Sequence, residues 1–163
     1  MERLWSPWRM EYIQSAREED DTGCVFCALL DTASSDDGRV LARDDLAFVA
    51  LAKYPYNPGH LLVLPVRHTD DLEHLLPDES AAIMRMLTRS LQALRETSSP
   101  DGFNIGLNLG RVAGAGLPEH LHWHVVPRWG GDTNFMPVIG QTRVLPELLE
   151  GTYSKLRPHF EED

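Results

Sequence analysis

The sequence predicts an α+β fold: a mostly antiparallel sheet of about five strands, one main helix and a shorter C-terminal helix. Three observations carry that prediction. Short apolar segments broken by turn residues fill the first half, one long run at helical spacing follows, and strict apolar/polar alternation comes after it. At 163 residues the chain has the usual size of one domain and needs no disulfide staples to bury a core. Residues 1–163 are therefore read as a single domain, with a core at about 40–130 and an N-terminal segment at 1–38.

The elements follow in order. Val40 to Arg43 and Ala47 to Leu51 are short apolar segments around Asp44-Asp45, which predicts a hairpin. The cluster Pro55, Asn57, Pro58 and Gly59 forces a turn. His60 to Pro65 is an apolar run of strand length, expected to be buried on both faces. From Pro77, Ile83, Leu87, Leu91 and Leu94 recur at helical spacing until Ser98-Ser99-Pro100 ends the run. Phe103, Ile105, Leu107 and Leu109 then alternate with Asn104, Gly106 and Asn108, a strand with one polar face. A Gly-rich loop from Gly110 to Pro118 leads into a strand from His120 to Pro127. The tail from Leu145 carries Leu148, Leu149, Tyr153 and Leu156, a short amphipathic helix with Pro146 in its first turn. Glu18 to Gly23 and Asp31 to Gly38 read as short linkers framing a cysteine pair in loop-like surroundings.

Composition excludes several classes. Hydrophobic residues at 42% and charged residues at 25% are ordinary globular usage, which argues against disorder, a collagen repeat or a coiled coil. A formal net charge of −10 repels polyanions, so a nucleic-acid polymer is not an expected partner. A small phosphorylated ligand needs only local donors, and Lys53, Arg67, Arg111 and Arg128 lie near the segments that carry chemistry. No apolar run reaches membrane-spanning length, and the start Met1-Glu2-Arg3-Leu4-Trp5 lacks the order of a signal peptide, so a cytoplasmic location without membrane attachment is expected.

Two motifs carry chemistry. Glu119 to Pro127 holds three of the seven histidines, His120, His122 and His124, at i, i+2, i+4 spacing. On a strand these share one face, with Leu121, Trp123 and Val125 on the other; on a helix His122 would sit roughly 200° from His120. Three readings are open: a half-buried polar run, a catalytic zinc site built on His-x-His, or an imidazole nucleophile whose tautomer is fixed through its other nitrogen. The second motif is Cys24-Val25-Phe26-Cys27, which in a reducing compartment reads as a metal clip or a redox pair.

His120-Leu121-His122-Trp123-His124-Val125-Val126 resembles the His-x-His-x-His-x-x signature of the histidine triad family. Asn57 to Pro65 resembles its Pro-Gly-His strand, and Gly102 to Asn108 the strand before its phosphate loop. The opening Leu4 to Ile13, with Trp5 and Trp8, and the later Pro127 to Phe135 resemble a bacterial branch that includes diadenosine tetraphosphate phosphorylases. The resemblance implies that His122 attacks the α-phosphate of a nucleotide, that His124 donates to the phosphate oxygens, and that Asn108 contacts the same phosphate. Gly114, Ala115 and Gly116 would wrap the phosphate with backbone N–H groups, His60 would lie near the active site, and Trp129 could stack on a base. It also implies one structural zinc per chain on Cys24, Cys27, His68 and His120.

The implied substrate is a purine nucleotide or dinucleoside polyphosphate, and the implied assembly is a homodimer. The alternative is a nucleotide-binding or interaction protein with little turnover. Two features depart from the family. Ala115-Gly116-Leu117 replaces a Gln followed by Thr or Ser, and Ala52 stands where a ribose-binding Asp or Asn is common.

Overall fold

The computed structural model describes residues 23–31, 39–132 and 145–161. Expectations for the Trp5 to Ile13 opening, for most of both linkers and for Thr133 to Phe135 lie outside the described residues. The elements run α1 (Val25–Asp31), β1 (Val40–Arg43), β2 (Ala47–Leu51), β3 (Leu61–Pro65), α2 (Pro77–Ser98), β4 (Gly102–Leu107), β5 (Trp123–Arg128) and α3 (Leu149–Leu156). A single 3-10 turn follows β4 at Arg111–Ala113, and another follows α3 at Arg157–Phe160. Strand order is β1-β2-β3-β5-β4, with every neighbouring pair antiparallel.

The β1–β2 hairpin closes on Asp44, whose Oδ1 accepts the N–H groups of Leu46 and Ala47 at 2.8 and 2.7 Å. Strands β2 and β3 are buried along their whole length, which is why both read as unbroken apolar runs. Their two faces serve different ends. Ala47, Val49, Leu51, Leu61, Val63 and Val125 pack against Ile83, Met86, Leu87 and Leu94 of α2 and against Leu156 and Phe160. Phe48, Ala50, Ala52, Leu62 and Leu64 face Phe26, Leu29 and Leu30 of α1. Because the period is two, His122 and His124 fall on the α1 side while Trp123 and Val125 fall on the α2 side.

Helix α2 starts where the sequence places it. Pro77 occupies its first turn, and Glu79 Oε2 accepts the Leu76 N–H at 2.9 Å, satisfying one of the orphan donors. It ends at Ser99 in a left-handed conformation, with Pro100 beyond it.

Four boundaries differ from expectation. Strand β5 begins at Trp123 rather than His120: register carried on from Val63↔Trp123 sets Leu121 opposite Pro65, which has no N–H to give the ladder. Leu121 N–H bonds the Thr69 carbonyl instead, at 2.7 Å. Strand β4 stops at Leu107, and as an edge strand it leaves Ile105 47% exposed, so its apolar residues do not form one buried face. Helix α3 starts at Leu149 with Leu148 as an exposed N-cap, so Pro146 precedes the helix instead of opening it. Cys27 lies on a helix, not a loop. Phe26, Leu29 and Leu30 supply the i, i+3, i+4 apolar stripe that holds the seven-residue α1 to the sheet.

Gly59, in the turn before β3, has φ +76°, and a Cβ there would meet Leu94 Cδ2 at 2.9 Å. Leu94 is fully buried and has nowhere to move. Gly59→Ala should therefore cost on the order of 2–4 kcal/mol, the sum of left-handed backbone strain and core overpacking. Urea unfolding with an unchanged m-value and a midpoint equal to wild type would contradict this account of the turn.

Candidate active site and metal centre

Cys24, Cys27, His68 and His120 come together across the end of β3, from the start of α1 and the residue before it, from the loop after β3 and from the segment before β5. Their ligand atoms all lie within 4.8 Å of one another. His120 Nδ1 is 3.4 Å from Cys24 Sγ and 3.7 Å from Cys27 Sγ, and His68 Nδ1 is 3.5 Å from Cys27 Sγ. Tetrahedral zinc with bonds of about 2.3 Å to sulfur and 2.0–2.1 Å to nitrogen requires S–N separations of about 3.5 Å. The donors present thus fit a four-coordinate metal ion. Burial and the neighbouring Cys24 push the Cys27 thiol up to about 11, so a metal ion would have to displace that proton on binding. Thioredoxin-type redox chemistry is not favoured, because the pair opens onto two histidines.

Surrounding contacts hold this cluster. His120 Nε2–H donates to the Pro65 carbonyl at 2.9 Å, which leaves Nδ1 as the lone pair facing the cysteines. The loop carrying His68 is tied down by its neighbour Arg67, whose Nε and Nη2 each donate to the Glu79 carboxylate at 2.7 Å. Glu79 is only 3% exposed, and the Arg67 guanidinium holds it below the usual carboxylate range. Phe26, between the two cysteines in sequence, packs edge-on to His120 and tilted against His122, with ring centroids 5.7 and 5.2 Å apart.

His122, His124 and His60 form a row with defined tautomers. His122 Nδ1–H donates to the His120 carbonyl at 2.8 Å, so its lone pair is on Nε2. Burial pulls both His120 and His122 below the ordinary histidine value, against the opposing effect of their carbonyl hydrogen bonds, and both rings are neutral near pH 7. On the other side, the Tyr56 backbone N–H donates to His60 Nδ1 at 3.0 Å. His60 therefore carries its hydrogen on Nε2, which lies 3.0 Å from His124 Nδ1. His124 accepts there and keeps its own hydrogen on Nε2. The site thus holds a lone pair on His122 beside an N–H donor on His124, with ring centroids 5.1 Å apart. Tyr56 stacks on His60 at 4.8 Å.

Strand register brings in the next residues. Leu107 pairs with Trp123 and Gly106 with His124, so Asn108 continues opposite His122. Asn108 Nδ2 donates to the Gly114 carbonyl at 3.5 Å, a long bond that spans the loop. Gly110 and Gly114 take positive φ of 77° and 99°, and Ala115 N–H bonds the Gly110 carbonyl at 3.3 Å, folding residues 110–115 into a compact turn ahead of Gly116. Ala52 is buried opposite His60, its N–H on the His60 carbonyl at 3.1 Å.

Trp129 is not brought to the histidines. It follows the far end of β5, with its indole N–H on the Ser98 carbonyl at 3.2 Å. Arg128 is also engaged elsewhere, bound by Asp132 through Nε and Nη2 and by Asn104 Oδ1 at 2.8 Å. Tyr56, Phe26 and Thr69 are site residues that sequence reasoning passed over. For Phe26 the signal was available, since an aromatic inside the cysteine step shares the clip's position. Thr69 acts through its carbonyl, which residue identity does not reveal.

An open antiparallel sheet carrying a Cys2His2 cluster beside a row of tautomer-fixed histidines defines a class of protein, and comparison with known proteins agrees. The HIT domain family matches residues 34–131. The chain belongs to the HIT family, and it is a HIT-family enzyme similar over most of its length to a named AP-4-A phosphorylase. That relative, from Mycobacterium tuberculosis, is 44% identical over 157 residues, 93% of this chain and 80% of its own length. An Arabidopsis thaliana protein named adenylylsulfatase HINT3 is 30% identical over 116 residues, 71% of this chain and 56% of its own. A crystal structure of a zinc-bound histidine triad family protein from Mycobacterium smegmatis superposes with a TM-score of 0.67 at 33% identity, covering 85% of this chain and 93% of that one.

If the cluster holds a metal that braces His120, Cys24→Ser should lower metal content measured by mass spectrometry and lower Tm together. Full stability in a preparation freed of metal by chelation would refute that link.

Proposed function

We propose that the protein cleaves dinucleoside polyphosphates, such as diadenosine tetraphosphate, through a nucleotidyl-His122 intermediate, with phosphate as the preferred acceptor and water as the competitor. The observation that carries this reading is the 2.8 Å bond from His122 Nδ1–H to the His120 carbonyl, which aims the basic nitrogen Nε2 away from the backbone. The likeness to the AP-4-A phosphorylase supports the substrate class.

In the first step, a bond forms from His122 Nε2 to the α-phosphorus and the bridging P–O bond breaks, so ATP leaves from diadenosine tetraphosphate. His124 Nε2–H donates to the phosphoryl oxygens as charge builds on them. Asn108 and the backbone N–H groups around Gly114, Ala115 and Gly116 hold the same phosphate, and His60 orients His124. In the second step, a phosphate oxygen attacks the same phosphorus, the Nε2–P bond breaks, and ADP forms; water in its place gives AMP. Splitting the displacement in two lets each step use a good leaving group. Zinc in the Cys24, Cys27, His68 and His120 cluster is structural, since four protein donors leave no position for substrate.

Arg128 is bound by Asp132 toward the far end of β5, and Arg111, which opens the turn after Gly110, is the candidate to meet the incoming phosphate dianion. Trp129 would need another surface to bring a base to it. The protein is further proposed to act in the cytoplasm as a homodimer, pairing through the exposed β4 edge and α2; among the described residues no helix is long and apolar enough to cross a membrane. Residues 1–163 are taken as one domain.

His122→Ala should reduce turnover of diadenosine tetraphosphate by several orders of magnitude while leaving the fold intact. Activity within about tenfold of wild type would eliminate the covalent mechanism. Chromatography of the products separates the acceptors: added millimolar phosphate should replace AMP by ADP at constant ATP, and a ratio indifferent to phosphate would assign hydrolysis.

A further inference from the structure

We propose that Asn57 and Asp132 are positioning residues of the histidine site: from outside it they fix the ring of His60, and through His60 the proton position on His124. The proposal rests on the role of His124 given above. It starts from the turn that presents His60. Residues 56–60 close on themselves, with Tyr56 N–H on His60 Nδ1 at 3.0 Å and His60 N–H on the Asn57 carbonyl at 3.1 Å. Gly59 within that turn is in the left-handed region, and the turn projects beyond the start of β3. Those bonds shape the turn, and contacts from outside it set where it is held against the sheet.

Asn57 supplies that hold with both hydrogens of its amide. One goes to the Pro127 carbonyl at 3.0 Å and the other to Asp132 Oδ2 at 2.8 Å, acceptors 70 and 75 residues further along the chain. Asp132 is itself immobilised. Its carboxylate receives Arg128 Nε and Nη2 and the Trp129 N–H, and its side chain is 11% exposed. Those donors, Arg128 foremost, hold Asp132 far below the usual carboxylate range, so Asn57 meets a charged acceptor at any working pH.

The bonds from Arg128 and Trp129 already close the turn after β5. The bond from Asn57 reaches a different element, and what that element offers the site is His60. His60 Nε2 lies 3.0 Å from His124 Nδ1 and determines which nitrogen of His124 keeps its hydrogen. If the His60 ring turns away, His124 is released to carry its hydrogen on Nδ1. It would then present a lone pair, not a donor, to the phosphoryl oxygens. The loss falls on stabilisation of the reacting phosphate more than on ground-state binding.

The test compares Asn57→Ala, Asp132→Ala and Asp132→Asn, the last of which keeps an oxygen for the Asn57 amide. With diadenosine tetraphosphate, both alanine variants should lower kcat by about tenfold or more with KM changed by less than about threefold, while Asp132→Asn stays within about threefold of wild type. A second readout does not depend on turnover. Long-range 1H–15N correlation spectra of histidine-labelled protein should show His124 solely as the Nε2–H tautomer in wild type and Asp132→Asn, and as a mixture in the alanine variants. An alanine variant that loses melting temperature but keeps both kcat per folded molecule and the single tautomer would overturn the proposal. Equal losses in Asp132→Asn and Asp132→Ala would overturn it too, by assigning the effect to charge. Should Asn57→Ala fail to fold, the Asp132 pair decides. If wild type turns over no dinucleotide, the reaction assignment fails while the tautomer comparison still judges the positioning role.

Discussion

His120 is fixed at three points, and the rest of the site is built outward from it. Its Nε2–H is held by the Pro65 carbonyl, its Nδ1 faces the cysteine sulfurs, and its own carbonyl holds His122. One buried residue therefore joins the end of a sheet strand, a Cys2His2 cluster that fits a metal ion and the ring proposed to attack phosphorus. The join has a topological cause. Pro65 ends β3 without an N–H to offer, so the chain opposite cannot continue as a ladder, and the carbonyl and ring of His120 are turned to other partners. The Cys2His2 cluster and the Thr69 carbonyl then take over for residues 120–122 the place that sheet hydrogen bonds have for residues 123–128.

The same economy of partners shapes the electrostatics. The chain carries a formal net charge of −10, yet its site is read as one for polyanionic ligands. Two guanidinium groups do not offset this, because Arg67 is committed to Glu79 and Arg128, at the far end of β5, to Asp132. The groups that line the histidine row are neutral: the His120 and His122 rings, held below the ordinary histidine pKa by burial, the Asn108 side chain and backbone N–H groups. Neutral donors stabilise charge that develops during reaction without gripping product phosphates as cations would. On the proposed reaction, a site that releases ATP would gain from that arrangement.

Much of this was legible in the sequence, for identifiable reasons. The β1–β2 hairpin, β3 and α2 were set by local signals: an Asp-Asp turn, an apolar run and a 3.6-residue stripe closed by Pro100. The four-residue cluster was legible only through resemblance, since spacing alone linked Cys24 to Cys27 but not to His68 or His120. The start of β5 was misplaced because strand assignment depends on a partner, and the absence of a donor at Pro65 shows only once register is known. Trp129 looked like a site residue because it follows the motif closely in sequence. A strand, however, carries the chain about 3.3 Å per residue, and its far end is remote from the histidines.

Segregation of the two sheet faces explains how departures from the family pattern are tolerated. The α2 face holds the larger hydrophobic cluster and so much of the folding free energy, whereas the α1 face carries His122 and His124. A change on the second face alters what a ligand meets without opening a cavity under α2. Ala52 lies on that face opposite His60, where its methyl offers a ribose no hydrogen bond. Ala115 and Gly116 likewise withdraw side-chain donors from the loop and leave its backbone to act. On the proposed reading, each substitution moves recognition from ribose and side-chain contacts toward the phosphate chain itself. The histidine row, the Asn108 amide and the loop N–H groups all address phosphate. Selectivity should therefore follow phosphate number and geometry more than the sugar, because phosphate is where this site keeps its donors.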